Sequence, residues 1–137
     1  MPLDQRSLTN LAQCDPRLAE IARLASQHAD FTVICGHRDN AAQQIAYDEG
    51  KSKLPPGKSK HNLTPSKAFD FIYAPFPIGG EAWGDIPKFK TVASALIAAA
   101  HVLDIPVRWG GTWTDNPNDP PAHLFDADHF EIDEVSK

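Results

Sequence analysis

Between Ala68 and Tyr73 the chain reads Ala-Phe-Asp-Phe-Ile-Tyr, an apolar run of strand length with a carboxylate inside it. Burying a polar group without a partner costs roughly 2–7 kcal/mol, and an unpaired ion costs more. Any fold that buries this run must therefore bring a compensating group to Asp70. The closing stretch Asp126-Ala127-Asp128-His129-Phe130-Glu131-Ile132 repeats the pattern with an imidazole. Its alternation through Phe130, Glu131 and Ile132 is that of a half-buried strand. A second histidine, His61, follows Ser59 and Lys60 shortly before Asp70. Two imidazoles and a carboxylate offer neutral nitrogen and anionic oxygen donors, a set suited to zinc with one position left open.

The rest of the chain limits what can surround such a centre. Its 137 residues suit one domain over 1–137, which buries about 68% of the unfolded surface. No stretch approaches the roughly 20 apolar residues of a membrane span, so membrane insertion is not expected. The start, Met1-Pro2-Leu3-Asp4, has neither a basic n-region nor an apolar h-region. No Sec signal is read there, and synthesis in the cytoplasm is expected. A net charge of −5, with no Lys/Arg cluster along a helix face, argues against nucleic acid as a partner. Cys14 and Cys35 lie outside any C-x-x-C spacing; two free thiols are expected, with Cys35 packed in the core.

Local signals outline the elements. Leu3 to Gln13 is helix-like, and Asp15-Pro16 is a cap and first-turn pair. Leu18, Ile21, Ala22 and Ala25 recur at helical spacing, giving a helix to about His28, itself a surface residue. Phe31 to Cys35 reads as a strand stopped by Gly36. Asp39 caps a further helix that Gly50 ends. Lys51 to Lys60 is rich in Pro, Gly and Lys and reads as an exposed loop leading to His61. Ala68 to Tyr73 is the second strand, and Ala74 to Gly80 turns the chain away. Pro87 opens the longest helix, with Val92, Ala95, Leu96, Ala99, Ala100 and Leu103 on its buried face and His101 on its flank. Val107 to Gly111 is a third strand, Thr112 to Phe125 a polar loop, and His129 to Ile132 the last strand. Strands not separated by regular βα units predict an α+β fold, a small antiparallel sheet flanked by about three helices. Adjacent strands can then bring Asp70 and His129 together, with His61 at a strand's entrance.

The ordered set Gly36-His37-Arg38, Ser59-Lys60-His61, Ala68-Phe69-Asp70, Trp109-Gly110-Gly111 and Asp126-x-x-His129 resembles the zinc D-Ala-D-Ala carboxypeptidase and L-alanyl-D-glutamate peptidase family. The resemblance covers roughly residues 15 to 133 and is strongest toward single-domain phage endolysins. It implies a Hedgehog/D-Ala-D-Ala-peptidase-like fold in which His61, Asp70 and His129 hold one zinc ion. It further implies that Asp126 is the acid/base and that Arg38 stabilises the oxyanion or fixes substrate. Ser59 and Gln43 match positions that face substrate in relatives, and Trp109 and Trp113 are candidates to line a substrate groove. The step of nine from His61 to Asp70 is longer than usual for the family and lacks its glycine, so extra loop residues are expected to bulge outward. Asp126 stands where many relatives carry Glu.

The chemistry agrees with that reading. Zinc with three protein ligands lowers the pKa of its water to about 7, and a nearby carboxylate can take the proton. The implied activity is hydrolysis of the L-alanyl–D-glutamate bond of peptidoglycan stem peptides, lysing the bacterial wall. The alternatives are a D-Ala-D-Ala carboxypeptidase and a non-catalytic zinc-containing module of the same fold. No separate cell-wall-binding domain is expected. Neither is an export signal, so release from the host cytoplasm to the wall is expected to need a holin-like partner. A monomer is expected. His37 and His123 taken singly read as structural histidines. Asp115-Asn116-Pro117-Asn118-Asp119 offers oxygen donors for Ca2+ but lacks the spacing and closing Glu of an EF-hand, so a solvated turn is expected.

Overall fold

The computed structural model describes residues 3–50, 60–74, 85–122 and 126–133. Each of its four α-helices starts on an aspartate whose side chain accepts from a backbone N–H of the first turn. Asp4 caps α1 (Gln5–Leu11), Asp15 caps α2 (Pro16–Ala25), Asp39 caps α3 (Asn40–Asp48) and Asp85 caps α4 (Ile86–Val102). Such a cap satisfies a donor that has no partner within the helix. Pro16 and Pro87 stand in the first turn, where the missing N–H costs nothing. Gly50 follows α3 with φ +76°, and Asp104 follows α4 with φ +57°, the left-handed backbone that ends many helices.

The four strands β1 (Phe31–Cys35), β2 (Ala68–Tyr73), β3 (Val107–Trp109) and β4 (His129–Ile132) form one sheet in the order β1-β2-β4-β3. Every pairing is antiparallel, so the α+β architecture is as expected. The described residues hold four α-helices against the three or so expected, and the shortest, the seven-residue α1, is tied down by tertiary contact. Its Asn10 Nδ2 donates to Val33 O (2.8 Å), and its Ser7 Oγ accepts from Val33 N (2.9 Å). These two side chains close the free edge of β1, which would otherwise present unpaired backbone groups. The third strand stops at Trp109, two residues earlier than expected. Gly110 and Gly111 enter the turn that follows, and the ladder resumes only as an isolated bridge between Trp109 and Thr114.

β2 is buried on both faces, which explains its nearly unbroken apolar run. Phe69, Phe71 and Tyr73 share one face by the period of two. Their rings meet Phe130 and Phe89: Phe69–Phe130 centroids are 5.4 Å apart, Phe71–Phe89 5.9 Å and Tyr73–Phe89 5.4 Å. Leu18, Ile21 and Ala22 of α2 and Val92, Ala93 and Leu96 of α4 complete this core. Asp70 points the other way, so the helical core and the chemistry occupy opposite faces of one sheet. His61 enters that second face from a single 3₁₀ turn, Lys60–Asn62. Lys67 N donates to Lys60 O (3.1 Å) and closes the loop. Leu63, Thr64 and Pro65 are exposed, so the extra residues between His61 and Asp70 bulge into solvent as expected. Among the described residues no helix is long and apolar enough to cross a membrane.

Candidate metal centre

Three strands contribute one row of side chains. Asp70 of β2 is paired with His129 of β4 on one side and with Cys35 of β1 on the other, and directly opposed residues face the same way. The pairing with β1 depends on a register shift between Val33 and Cys35. Without it, Ile34 would stand across from Asp70; the bulge moves the thiol there instead. His61 comes down onto the row, with Nε2 3.2 Å from Asp70 Oδ1. His129 Nδ1 is 3.6 Å from the same oxygen. The His61 and His129 rings meet edge-on at 5.2 Å between centroids.

Each imidazole is oriented through its other nitrogen. His61 Nδ1 lies 2.7 Å from Gly36 O, a group that can only accept, so this nitrogen carries the proton. His129 Nε2 lies 2.8 Å from Glu131 Oε1. His61 Nε2 and His129 Nδ1 are thereby left pointing at Asp70. Hydrogen bonds of this kind to carbonyls and carboxylates fix the tautomer of metal-binding histidines. Glu131 in turn accepts from Arg108 Nη2 (2.6 Å) and pairs with Lys60 Nζ (2.8 Å). Arg38 reaches the row from beyond β1, donating from Nη2 to Asp70 Oδ2 (3.1 Å) and from Nη1 to Gln43 Oε1 (2.9 Å).

Burial and charge act in opposite directions on the groups of this row. Burial works against a charge on His61, but the Asp70 carboxylate outweighs it and holds the imidazolium up to about 10. Burial would likewise raise Asp70, yet the charge of His61 and the hydrogen bonds from both histidines hold it far below the usual carboxylate range. His129 is also raised against its burial, first by Asp70 and then by Glu131. Protons thus fill the space between the donors, and a divalent ion would displace them, as metal binding to such ligands requires. Ligand atoms around a tetrahedral ion at about 2.0–2.1 Å stand about 3.3–3.4 Å apart. The 3.2 and 3.6 Å separations about Asp70 Oδ1 fit that spacing. Cys35, His61 and Asp70 also form a group whose ligand atoms all lie within 4.8 Å of one another.

The other expected site residues fall at varied distances from this row. Asp126 N donates to Gly110 O (2.9 Å) and Asp126 O accepts from His129 N (3.1 Å), so its backbone is tied to the end of β4. Its carboxyl hydrogen-bonds Asp128, whose own carboxyl is pushed well up by burial, then by the charge of Asp70 and by Asp126. Gly110 permits this approach, since a Cβ there would collide with Asp126 O and stand 3.0 Å from His129 Cβ. Gln43 is fully buried and occupied with Arg38, a support for the guanidinium with no face toward solvent. Trp109 is 2% exposed, within the core cluster. Its indole Nε1 donates to Ala127 O (2.7 Å), so it braces the Asp126–Asp128 turn from beneath and has no surface to offer a substrate. Trp113 is half-buried at 5.2 Å from the His129 ring, and the Arg108 guanidinium lies over its own ring at 5.5 Å from the centroid. Trp113 has φ +55°, a left-handed conformation costly for an aromatic residue and maintained here by its N–H to Trp109 O (2.6 Å).

Ser59 and His123 lie outside the described residues. His37 stays apart from the row, with Nε2 3.4 Å from Thr64 Oγ1. In the 115–119 loop, Asp115 turns to His101 (3.1 Å) and Asp119 accepts from Thr114 Oγ1 (2.8 Å), the local bonding of a solvated turn. Cys35 departs from expectation: the core thiol is Cys14, while Cys35 is half-buried beside Arg38 Nη2 at 3.7 Å. Glu131 was legible in principle, because two residues beyond His129 on a strand is the same face. The role of Gly36 O and the turn of Cys35 carry no such signal in the sequence.

Residues 1–133 match the family described as phage L-alanyl-D-glutamate peptidase. The fold is similar to the crystal structure of the Serratia marcescens L-Ala D-Glu endopeptidase ChiX, with a TM-score of 0.75 and 28% identity, over 96% of this chain and 90% of that one. No curated protein sequence matches the chain significantly. A match over nearly the whole sequence, together with the shared fold, shows that the chain belongs to the phage L-alanyl-D-glutamate peptidase family.

Proposed function

We propose that this protein is a zinc-dependent peptidoglycan peptidase that hydrolyses the L-alanyl–D-glutamate bond of stem peptides, with His61, Asp70 and His129 as the metal ligands. The observation that carries the reading is the convergence of His61 Nε2 and His129 Nδ1 on Asp70 Oδ1, at 3.2 and 3.6 Å. Family membership supports the bond and the substrate class. Nitrogen and carboxylate donors in this number suit zinc with a position left for solvent or substrate. When bound, such an ion acts as a Lewis acid on the peptide carbonyl and makes water a competent nucleophile near neutral pH.

The chain's own groups supply the rest. The Asp126 carboxylate takes the proton of the attacking water and returns it to the leaving amine of D-glutamate. Arg38, fixed at both ends of its guanidinium by Gln43 and Asp70, places a permanent positive charge beside the developing oxyanion. Glu131 and Gly36 O hold the two imidazoles in the tautomers that direct the opposite nitrogen toward Asp70, where the ion would bind.

Mass spectrometry of digested peptidoglycan tests the bond. Peptides with a new amino terminus on D-glutamate are expected; free D-alanine would instead indicate the carboxypeptidase chemistry. The Asp126→Ala variant is expected to keep stoichiometric zinc and lose wall lysis. Undiminished lysis by that variant would remove the proton-transfer step assigned to it.

A further inference from the structure

Cys35 has no part in the hydrolysis described above, yet the fold brings it to the same centre. Its position follows from the bulge that opposes it to Asp70 in place of Ile34. Its sulfur belongs to a group with His61 and Asp70 whose donor atoms are mutually within 4.8 Å. It also sits 3.7 Å from Arg38 Nη2, the nitrogen that donates to Asp70 Oδ2 at 3.1 Å. The thiol therefore approaches Asp70 from the side opposite His129. Cys14, by contrast, is buried against carbonyl oxygens, and burial pushes its thiol up to about 12.

We propose that Cys35 is a further protein donor of this centre, so that Cys35, His61 and Asp70 form a sulfur-containing set for thiophilic divalent ions such as Cd2+. The inference rests on the reading that the centre holds a divalent ion. Thiolate ligands select soft ions, whereas nitrogen and carboxylate donors alone do not. Ligation releases the Cys35 thiol proton to solvent, with no change of oxidation state at sulfur or metal. Sulfur at this position competes with solvent for the open coordination site, so Cys35 gives the protein a second mode of metal binding.

Cobalt substitution reads the sulfur directly. Metal-free protein is titrated with Co2+, and the wild type is compared with Cys35→Ser and Cys14→Ala. The wild type and Cys14→Ala are expected to show visible ligand-field bands together with a near-ultraviolet sulfur-to-cobalt band. Cys35→Ser is expected to keep the visible bands and lose the near-ultraviolet one. In parallel, Cys35→Ser is expected to weaken Cd2+ binding roughly tenfold or more, a loss on the scale of removing one well-placed partner from a metal site. Visible bands without a sulfur band in the wild type, or a sulfur band that survives Cys35→Ser, overturns the proposal and leaves the His61–Asp70–His129 reading intact. Absence of any cobalt spectrum in the wild type overturns both.

Discussion

Glu131 and His129 lie on the same face of β4, two residues apart, with Oε1 2.8 Å from Nε2. The same carboxylate takes Arg108 at 2.6 Å and Lys60 at 2.8 Å, so one buried acid ties three elements to the imidazole that faces Asp70. Two cations, from β3 and from the turn that carries His61, offset its desolvation. Against the opposing effect of burial, the hydrogen bond with His129, then those from Lys60 and Arg108, hold its carboxyl well below the usual range.

Glu131→Gln should therefore weaken metal binding while leaving the fold in place. The amide keeps the shape but offers His129 a neutral acceptor and removes the buried charge that Arg108 and Lys60 share. Loss of such an outer partner typically costs about 10–100-fold in metal affinity. Competition with a chromogenic chelator measures it. An unchanged affinity would show that His129 is oriented by its backbone alone.

Arg38 makes two contacts that a point charge cannot make at once: Nη1 to Gln43 Oε1 at 2.9 Å and Nη2 to Asp70 Oδ2 at 3.1 Å. Arg38→Lys is expected to retain metal and to lower kcat roughly 10²-fold, the scale of losing one preorganised donor in a reaction of this type. Gln43→Ala is expected to cost about 1–3 kcal/mol of stability, because it removes a fully buried side chain and takes the acceptor from the half-buried Arg38 Nη1. Steady-state kinetics and urea unfolding on the two variants separate these effects. An Arg38→Lys enzyme with full kcat would remove the guanidinium from the chemistry.

Much of this arrangement is legible in the residues themselves. The apolar run from Ala68 to Tyr73 predicts its own strand, and the carboxylate within it predicts that partners must come to Asp70. The aspartates at 15 and 39 announce helix starts by a local hydrogen bond that needs no tertiary context. Trp109 and Trp113 are not distinguishable in this way. Both stand close to Gly110-Gly111, one directly before and one two residues after, and only the turn decides that Trp109 goes beneath the sheet while Trp113 stays beside His129. Cys35 is illegible for a related reason. Strand alternation continued from Phe31 and Val33 gives Cys35 the core face, and nothing in Val-Ile-Cys-Gly marks the one-residue shift that turns it toward Asp70.

Gly110 lies between the backbone of Asp126 and the start of β4. A methyl group there meets Asp126 O and presses on His129 Cβ at 3.0 Å. Gly110 N also donates to His129 O at 2.8 Å, so the strand end cannot retreat without breaking the ladder. Gly110→Ala is expected to displace Asp126 and to lower kcat by roughly 10²-fold, the scale on which small misplacements of catalytic groups act. Chelator competition run beside the kinetics tells whether His129 moves too. Wild-type kcat in this variant would mean that Asp126 need not stand where it does.

Asp15 links the helical half of the molecule to the strand that carries Asp70. Its Oδ1 accepts from Arg17 N at 2.9 Å as the cap of α2, and its Oδ2 accepts from Lys67 Nζ at 2.6 Å, one residue before β2. Hydrogen bonds from Arg17, and then from Lys67, hold the carboxyl well below the usual range against the opposing effect of burial. The folded protein thus releases this proton more readily than the unfolded chain, whose Asp titrates near 3.9. The resulting stability is fully present above that unfolded value and is lost as the pH falls below it. Asp15→Asn retains a cap acceptor and removes the charge, so it should be less stable than the wild type at about pH 7, and the gap should narrow by about pH 3 without closing, because the folded carboxyl titrates well below that pH. Asp15→Ala loses the cap as well, and its further deficit of about 0.5–2 kcal/mol should persist at both pH values. Urea unfolding of the metal-free proteins across this range measures the two differences. A gap between wild type and Asp15→Asn that stays constant with pH would mean that the charge of Asp15 contributes nothing to holding α2 against the entrance of β2.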